Sequence, residues 1–334
     1  MRTHDITAIA PGRVNIIGDH TDYTGGLCLP MAIDLETRVF GARLFDRVEL
    51  VSADEPDAAI VALDVQIPNS IEPFWARYVA GVVKTLQPTM GLQGKVSTTI
   101  PIGAGLSSSA AFEVALALAL GFEGSALDLA RACQSAEQLA CGVPTGILDQ
   151  LASVCGREGQ AMVLDCHELS VSYVPMPSDV EIVVIHSGQG RQLAGSGYSK
   201  RVSECQAAES LVGPLRLASL NNVASIDDPV IASRARHVVT ENQRVRDFGV
   251  AMAAGDFREA GRIMNESHES LRVDYESSHP TVDVLVSRLQ TTNGVLGARV
   301  TGGGFGGCVV AMTEPGTLRG EGWHVRASAG ARLL

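Results

Sequence analysis

The chain has 334 residues and a formal net charge of −11, from 26 Lys and Arg against 37 Asp and Glu. Such an acidic surplus argues against a nucleic-acid or anionic-membrane partner, but it allows a local anion site built from backbone and a few cations. Hydrophobic content of 46% with 19% charged residues describes an ordered globular protein with length for one or two domains.

The N-terminal residues lack the basic-then-apolar pattern of a secretory signal. No apolar run reaches the roughly 18 residues of a membrane span. The seven cysteines are odd in number and show no C-x-x-C. Cys133, Cys141, Cys155 and Cys166 sit in apolar segments and read as small buried residues, which fits a reducing cytoplasm. A monomer or weak homodimer is expected.

In chain order, residues 6–10 (ITAIA) read as a short strand. Residues 11–34 follow, in which Asp19, His20 and Asp22 crowd beside Tyr23, between apolar residues 14–17 and the pair Gly25-Gly26. Solvated surface explains such a polar knot poorly. It suits a sugar or polyol, whose hydroxyls pair with carboxylates and imidazole, while a metal site and ordinary loop capping are the alternatives. Arg13 lies close enough in sequence to serve a phosphate. Residues 36–63 alternate as strands around the turn DEPDA. Residues 74–86 read as an amphipathic helix, with Trp75 and Tyr78 on one face. That pair is core or, as the minority reading, a nucleobase platform.

Residues 101–112, PIGAGLSSSAAF, are the centre of the sequence. They follow an alternating strand pattern (VSTTI) and open an apolar helix. Gly103 and Gly105 allow close backbone approach, and the N–H groups of Leu106, Ser107, Ser108, Ser109 and Ala110 gather near a helix start, where an anion is stabilised. Serine hydroxyls also suit phosphate or Mg²⁺. The loop is not G-x-x-x-x-G-K-[ST], and the third glycine of G-x-G-x-x-G is missing.

A second helix is expected over 126–143, and Pro144 suits the first turn of a third. Glu137 and Asp149 stand among small and apolar residues, where carboxylates seldom lie without partners. A Mg²⁺ ligand and a general base account for them better than two structural ion pairs, given the anion-binding helix start. Strands are expected at 159–166 and 180–188, a helix carrying Tyr198 and Arg201 comes next, and a helical stretch runs over about 231–270. Residues 302–307 then hold five glycines in six positions around Phe305, a composition that suits a backbone surface closing over a ligand.

Three segments together resemble the galactokinase branch of the GHMP kinases. They are GRVNIIGDHTDY at 12–23, PIGAGLSSSAA at 101–111 and TGGGFGGC at 301–308. Shorter matches fall at Trp75 and Tyr78, at 146–150 (GILDQ), at Ser196, Tyr198 and Arg201, and at 267–276. The resemblance covers nearly the whole chain. It implies an α+β, two-domain GHMP kinase fold, with units over 1–175 and 176–334 and the active site in the cleft between them. It implies an ATP-dependent kinase that phosphorylates the anomeric hydroxyl of galactose or a similar sugar, with ATP and Mg²⁺ as cofactors. Asp149 aligns with the catalytic base and Arg13 with the arginine beside it. Asp19, His20, Asp22 and Tyr198 align with sugar-binding positions. Glu137 with Ser108 or Ser109 aligns with the Mg²⁺ site, and Trp75 with an adenine-side aromatic. The chain departs from the pattern at Asp19, where glutamate is usual, and at residues 186–191. Those departures leave another sugar or cyclitol as the alternative acceptor. A non-catalytic sugar and ATP sensor is the reading from a different class, and the intact Ser107–Ser109 run, Glu137 and Asp149 count against it.

Overall fold

The computed structural model describes residues 5–142, 145–190 and 197–334. The strands are β1 (Ile6–Ile17), β2 (Leu27–Leu44), β3 (Arg47–Ser52), β4 (Ala59–Ala62), β5 (Gly91–Thr98), β6 (Gln160–Asp165), β7 (Ser170–Pro175), β8 (Glu181–His186), β9 (Val295–Thr301), β10 (Cys308–Thr313), β11 (Trp323–Val325) and β12 (Arg332–Leu333). The helices are α1 (Ala76–Leu86), α2 (Ser108–Ala119), α3 (Ala126–Cys141), α4 (Leu148–Cys155), α5 (Gly197–Val212), α6 (Leu220–Ala224), α7 (Pro229–Ala254), α8 (Phe257–Val273) and α9 (Pro280–Gln290).

Two sheets organise this α+β fold. An eight-stranded sheet runs β12-β1-β2-β5-β3-β4, with β6 and β7 joined through β2, and a four-stranded sheet runs β11-β8-β10-β9. The pairings are antiparallel except for β3 with β5. The first sheet draws on residues before 176 plus the returning β12, so the last residues belong with the first unit rather than the second. The largest core cluster crosses the boundary as well, packing Ile16, Leu29 and Val114 in one contiguous set with Val184, Met264 and Val310.

The strand expected at 6–10 continues through Pro11 to Ile17. Register shifts between Pro11 and Arg13, and between Asn15 and Ile17, let β1 carry a proline and re-aim its later side chains. The helical stretch at 231–270 is two helices. Gly255 at φ 74° ends α7, and Asp256 caps α8 by accepting from the Glu259 N–H. The strand β7 had no counterpart in the reading of the sequence. Pro144 lies outside the described residues, and α4 begins at Leu148. Of the cysteines expected to be buried, Cys133 is, but Cys141 is exposed and Cys155 and Cys166 are half-buried. Cys141 is the last residue of α3, where the helix turns outward at Gly142. No helix among the described residues is long and apolar enough to cross a membrane.

Helix α8 meets β9 backbone to backbone. A Cβ on Gly261 would sit 2.1 Å from the Leu296 carbonyl oxygen, and one on Gly297 would sit 2.3 Å from that of Gly261. Gly261→Ala is therefore expected to cost about 1–3 kcal/mol through overpacking. The loss should appear as a lower urea midpoint at unchanged m-value; an unchanged midpoint would mean that the helix slides freely away from the strand.

Candidate active site

The site is built around the turn between β5 and α2. Gly103 and Gly105 take φ of 76° and 71°, and Ser107 takes 60°. The turn is tied to β1 by the Arg13 N–H, which donates to the Leu106 carbonyl at 3.1 Å. A Cβ at Gly12 would lie 2.5 Å from that same carbonyl, so only glycine allows the approach. No side chain caps the start of α2. The first N–H groups of this helix thus point outward at the positive end of its dipole.

Arg13 and Asp149 meet there. The guanidinium donates Nε–H to Asp149 Oδ1 at 2.8 Å, places Nη2 at 2.6 Å from the same oxygen, and donates from Nη1 to the Gly105 carbonyl at 2.6 Å. Ser107 Oγ donates to Asp149 Oδ2 at 2.6 Å. One arginine thus holds both the carboxylate and the glycine turn, and the strained Ser107 locks the second oxygen.

In the first turn of α2, Ser109 Oγ donates to Glu137 Oε1 at 3.1 Å, and Gln150 Nε2 donates to Glu137 Oε2 at 2.9 Å. Burial, with the nearby charge of Asp149, raises the Glu137 carboxyl above its ordinary value. Glu113, one turn further along α2, is fully buried, and both its oxygens lack a hydrogen-bond partner among the described residues. A hydroxyl beside a carboxylate at a phosphate loop suits Mg²⁺, which prefers one or two carboxylates supplemented by water and phosphate oxygens to an all-protein cage. Of the two serines named for the metal, Ser109 makes the contact to Glu137.

The polar knot closes the other side. Asp22 starts a short turn at Asp22–Thr24, and burial, with the charges of Asp19 and Asp149, pushes its carboxyl up to about 6. His20 takes φ of 63° and gives Nδ1 to a 3.0 Å hydrogen bond with the Tyr23 hydroxyl, leaving a buried Nε2 without partner among the described residues. Its ring lies 5.6 Å from that of Tyr198 and 4.5 Å from that of Tyr275. Burial, then the neighbouring His237, Arg201 and Arg299, keeps the imidazole neutral. A neutral ring with one free nitrogen is suited to a ligand hydroxyl.

Asp19 behaves differently. Its Oδ2 is 2.6 Å from Arg299 Nη2, while Oδ1 accepts from Asn15 Nδ2 at 2.9 Å and from the Gly302 N–H at 3.1 Å. Arg299 is fully buried and also donates to the Ile16 carbonyl at 2.9 Å. Glu241 stands 3.9 Å from the same guanidinium and accepts the Gly18 N–H at 3.0 Å. Burial opposes the charge of Glu241, but Arg244 and Arg299 outweigh it and hold the carboxyl at about 2. The guanidinium occupies the place a cation would need, so Asp19, His20 and Asp22 do not form a metal cluster. Among the described residues no group of three His, Cys, Asp or Glu is placed to hold one.

The glycine-rich segment between β9 and β10 lies against the same turn. Cys308 Sγ donates to the Ala104 carbonyl at 3.0 Å, and the Phe305 N–H donates to the Ser277 carbonyl at 2.6 Å. Trp75 is only 8% exposed, packs on Phe112 at 5.9 Å and donates Nε1–H to the Asp57 carbonyl. Tyr78 instead pairs with Phe74, so the two rings do not form one platform. Residues 191 and 196, part of the matched segments, lie outside the described residues. Arg299, Glu241 and His237 had not been singled out from the sequence. An arginine between apolar residues in GARV was the available signal for the first.

Residues 2–43 match the galactokinase galactose-binding signature, 77–157 the GHMP kinases N-terminal domain and 250–320 the GHMP kinases C-terminal domain. The galactokinase of Lactococcus lactis, solved with galactose, superposes with a TM-score of 0.91 at 30% identity, over 98% of this chain and 95% of that one. The mevalonate kinase of Methanococcus jannaschii gives 0.71 at 18% identity over 98% and 99% of the two chains. The homoserine kinase of Cytophaga hutchinsonii gives 0.60 at 17% over 100% and 98%, and both of these show the fold alone. Fold and site together define a two-domain GHMP-type kinase. Within that class, the chain belongs to the galactokinase family.

Arg299→Met would leave the buried Asp19 without its guanidinium and Glu241 with Arg244 alone. The expected loss is about 3–5 kcal/mol in urea unfolding; a loss below about 1 kcal/mol would mean that the network does not hold the units together.

Proposed function

We propose that this chain transfers the γ-phosphate of ATP to the anomeric hydroxyl of galactose or a close analogue. The observation that carries this reading is the convergence of Arg13, Asp149 and Ser107 at the uncapped start of α2, beside the cluster of Asp22, His20 and Tyr198. The family places the activity, and the geometry supports the assignment of roles. Phosphoryl transfer depends mainly on positioning and on stabilising charge.

The turn at 103–107 and the first N–H groups of α2 hold the phosphates. Ser109 and Glu137 would hold Mg²⁺, which when bound would neutralise charge on the phosphate oxygens. Arg13 holds Asp149 in place through two contacts to one carboxylate oxygen, and its guanidinium is offered to the charge that gathers on the transferred phosphoryl. Asp149 accepts the proton of the attacking hydroxyl. Asp22, His20 Nε2 and Tyr198 bind the sugar. Asp19, with both oxygens engaged inside the protein, acts by fixing the turn that presents them. Trp75 offers the nucleotide an edge at most.

Two outcomes test these roles. Asp149→Asn should lower kcat by about 10²–10⁴-fold, the usual worth of a general base, while ATP and galactose still bind by calorimetry. Activity within about tenfold of the wild type would remove the base assignment. For Asp22, burial raises the carboxyl to about 6, so the acceptor charge is present above that pH and lost below it. The KM for galactose should therefore rise as pH falls through about 6, and Asp22→Asn should flatten the step. A wild-type KM that stays level from pH 7 to pH 5 would exclude Asp22 as an anionic acceptor.

A further inference from the structure

A cavity of about 410 Å³ opens between residues 215–220 and α7, and it shares no lining residue with the cluster around Asp149. Three arginines line it, Arg216, Arg244 and Arg246, and no Asp or Glu does among the described residues. Arg216 is half-buried and has no hydrogen-bond or ion-pair partner among the described residues. Arg246, at the exposed mouth, reaches the Asn242 carbonyl at 3.3 Å and Gln243 Oε1 at 3.5 Å. Arg244 gives Nε–H to Glu241 at 2.7 Å and keeps a buried Nη2 donor that has no partner among the described residues. Three guanidinium groups sharing one counter-charge repel each other, and this in a chain whose net charge is −11. Their planar donor forks match phosphate oxygens.

The cavity has the volume of a small-ligand site. Leu215, Leu220 and Val239 give it an apolar wall, and Thr240 and Gln243 add groups that pair with hydroxyls. We infer that this cavity binds a small phosphate-bearing anion, and that its occupancy is felt at the turn carrying Asp22. The link is short. Glu241, the partner of Arg244, accepts the Gly18 N–H at 3.0 Å, and Asn242 Oδ1 accepts the Leu27 N–H at 2.7 Å. Those two amides bracket the turn, and Arg216 Cδ lies 3.4 Å from where a Cβ of Gly25 would stand. An anion that draws Arg244 away from Glu241 loosens one end of the turn, and one that orders Arg216 tightens the other.

The test compares the full-length chain with its R216A/R246A double variant. Neither arginine belongs to the catalytic cluster or carries an ion pair. Glycerol 3-phosphate and inorganic phosphate are titrated by calorimetry with a non-hydrolysable ATP analogue filling the phosphate loop. The wild type should bind at least about tenfold more tightly than the variant. A preference for the ester identifies an organic phosphate as the occupant, and equal binding identifies free phosphate. In steady state, the probe should change the KM for galactose about threefold or more in the wild type alone. No binding by the wild type, or equal binding by both proteins, overturns the site. Binding that leaves KM unchanged overturns the link to the turn.

Discussion

The guanidinium of Arg299 is the charge on which the two halves of this protein depend. It is fully buried, emerges from β9 in the second sheet, and is spent on Asp19 and the Ile16 carbonyl of the first. Glu241 on α7 is drawn to the same cation. A charge taken this far from water is stable only when its partners are fixed, so the arrangement holds three elements in one relation. What it fixes is the approach of the polar turn to the glycine-rich segment, because Asp19 also receives the Gly302 N–H. Asp149 and the Gly103–Ser109 turn lie before residue 176, while Tyr198 lies after it.

A comparable economy is visible at Arg13. Its backbone N–H fastens the Gly103–Ser107 turn and its side chain fastens Asp149, so strand, turn and carboxylate are linked through one residue. Arg13 and Asn15 lie in regular register between the two bulges of β1, two residues apart on one face, and each serves a different carboxylate, Asp149 and Asp19.

Local chemistry was legible in the sequence, and long-range partnership was less so. The Gly103–Ser109 turn could be read because strand, glycines and apolar helix are contiguous, an order that suits an anion site. The break between α7 and α8 was available in Gly255-Asp256, but the continuous run of helix formers on both sides concealed it. Arg299 and Glu241 were missed for another reason. The partners of Arg299 lie 283 and 280 residues away, and Glu241, on a long helix beside Arg244, looks like any other solvated charge. Trp75 was read as facing either core or ligand, and only packing against Phe112 distinguishes the two. Asp19 stood beside His20 and Asp22 and looked like them. The folded chain separates it from them, because its carboxylate points toward a cation contributed by the other sheet.

The short strand β12 bears on how the molecule is made. It covers the open edge of β1 at Ala8 and Ile9. Until those late residues emerge from the ribosome, the strand that carries Arg13 presents bare amides and carbonyls to its surroundings. Such an edge recruits other chains. The interval between synthesis of the first strand and arrival of β12 is thus a window of aggregation risk, and it closes at the same moment that the sheet beneath Arg13 becomes complete.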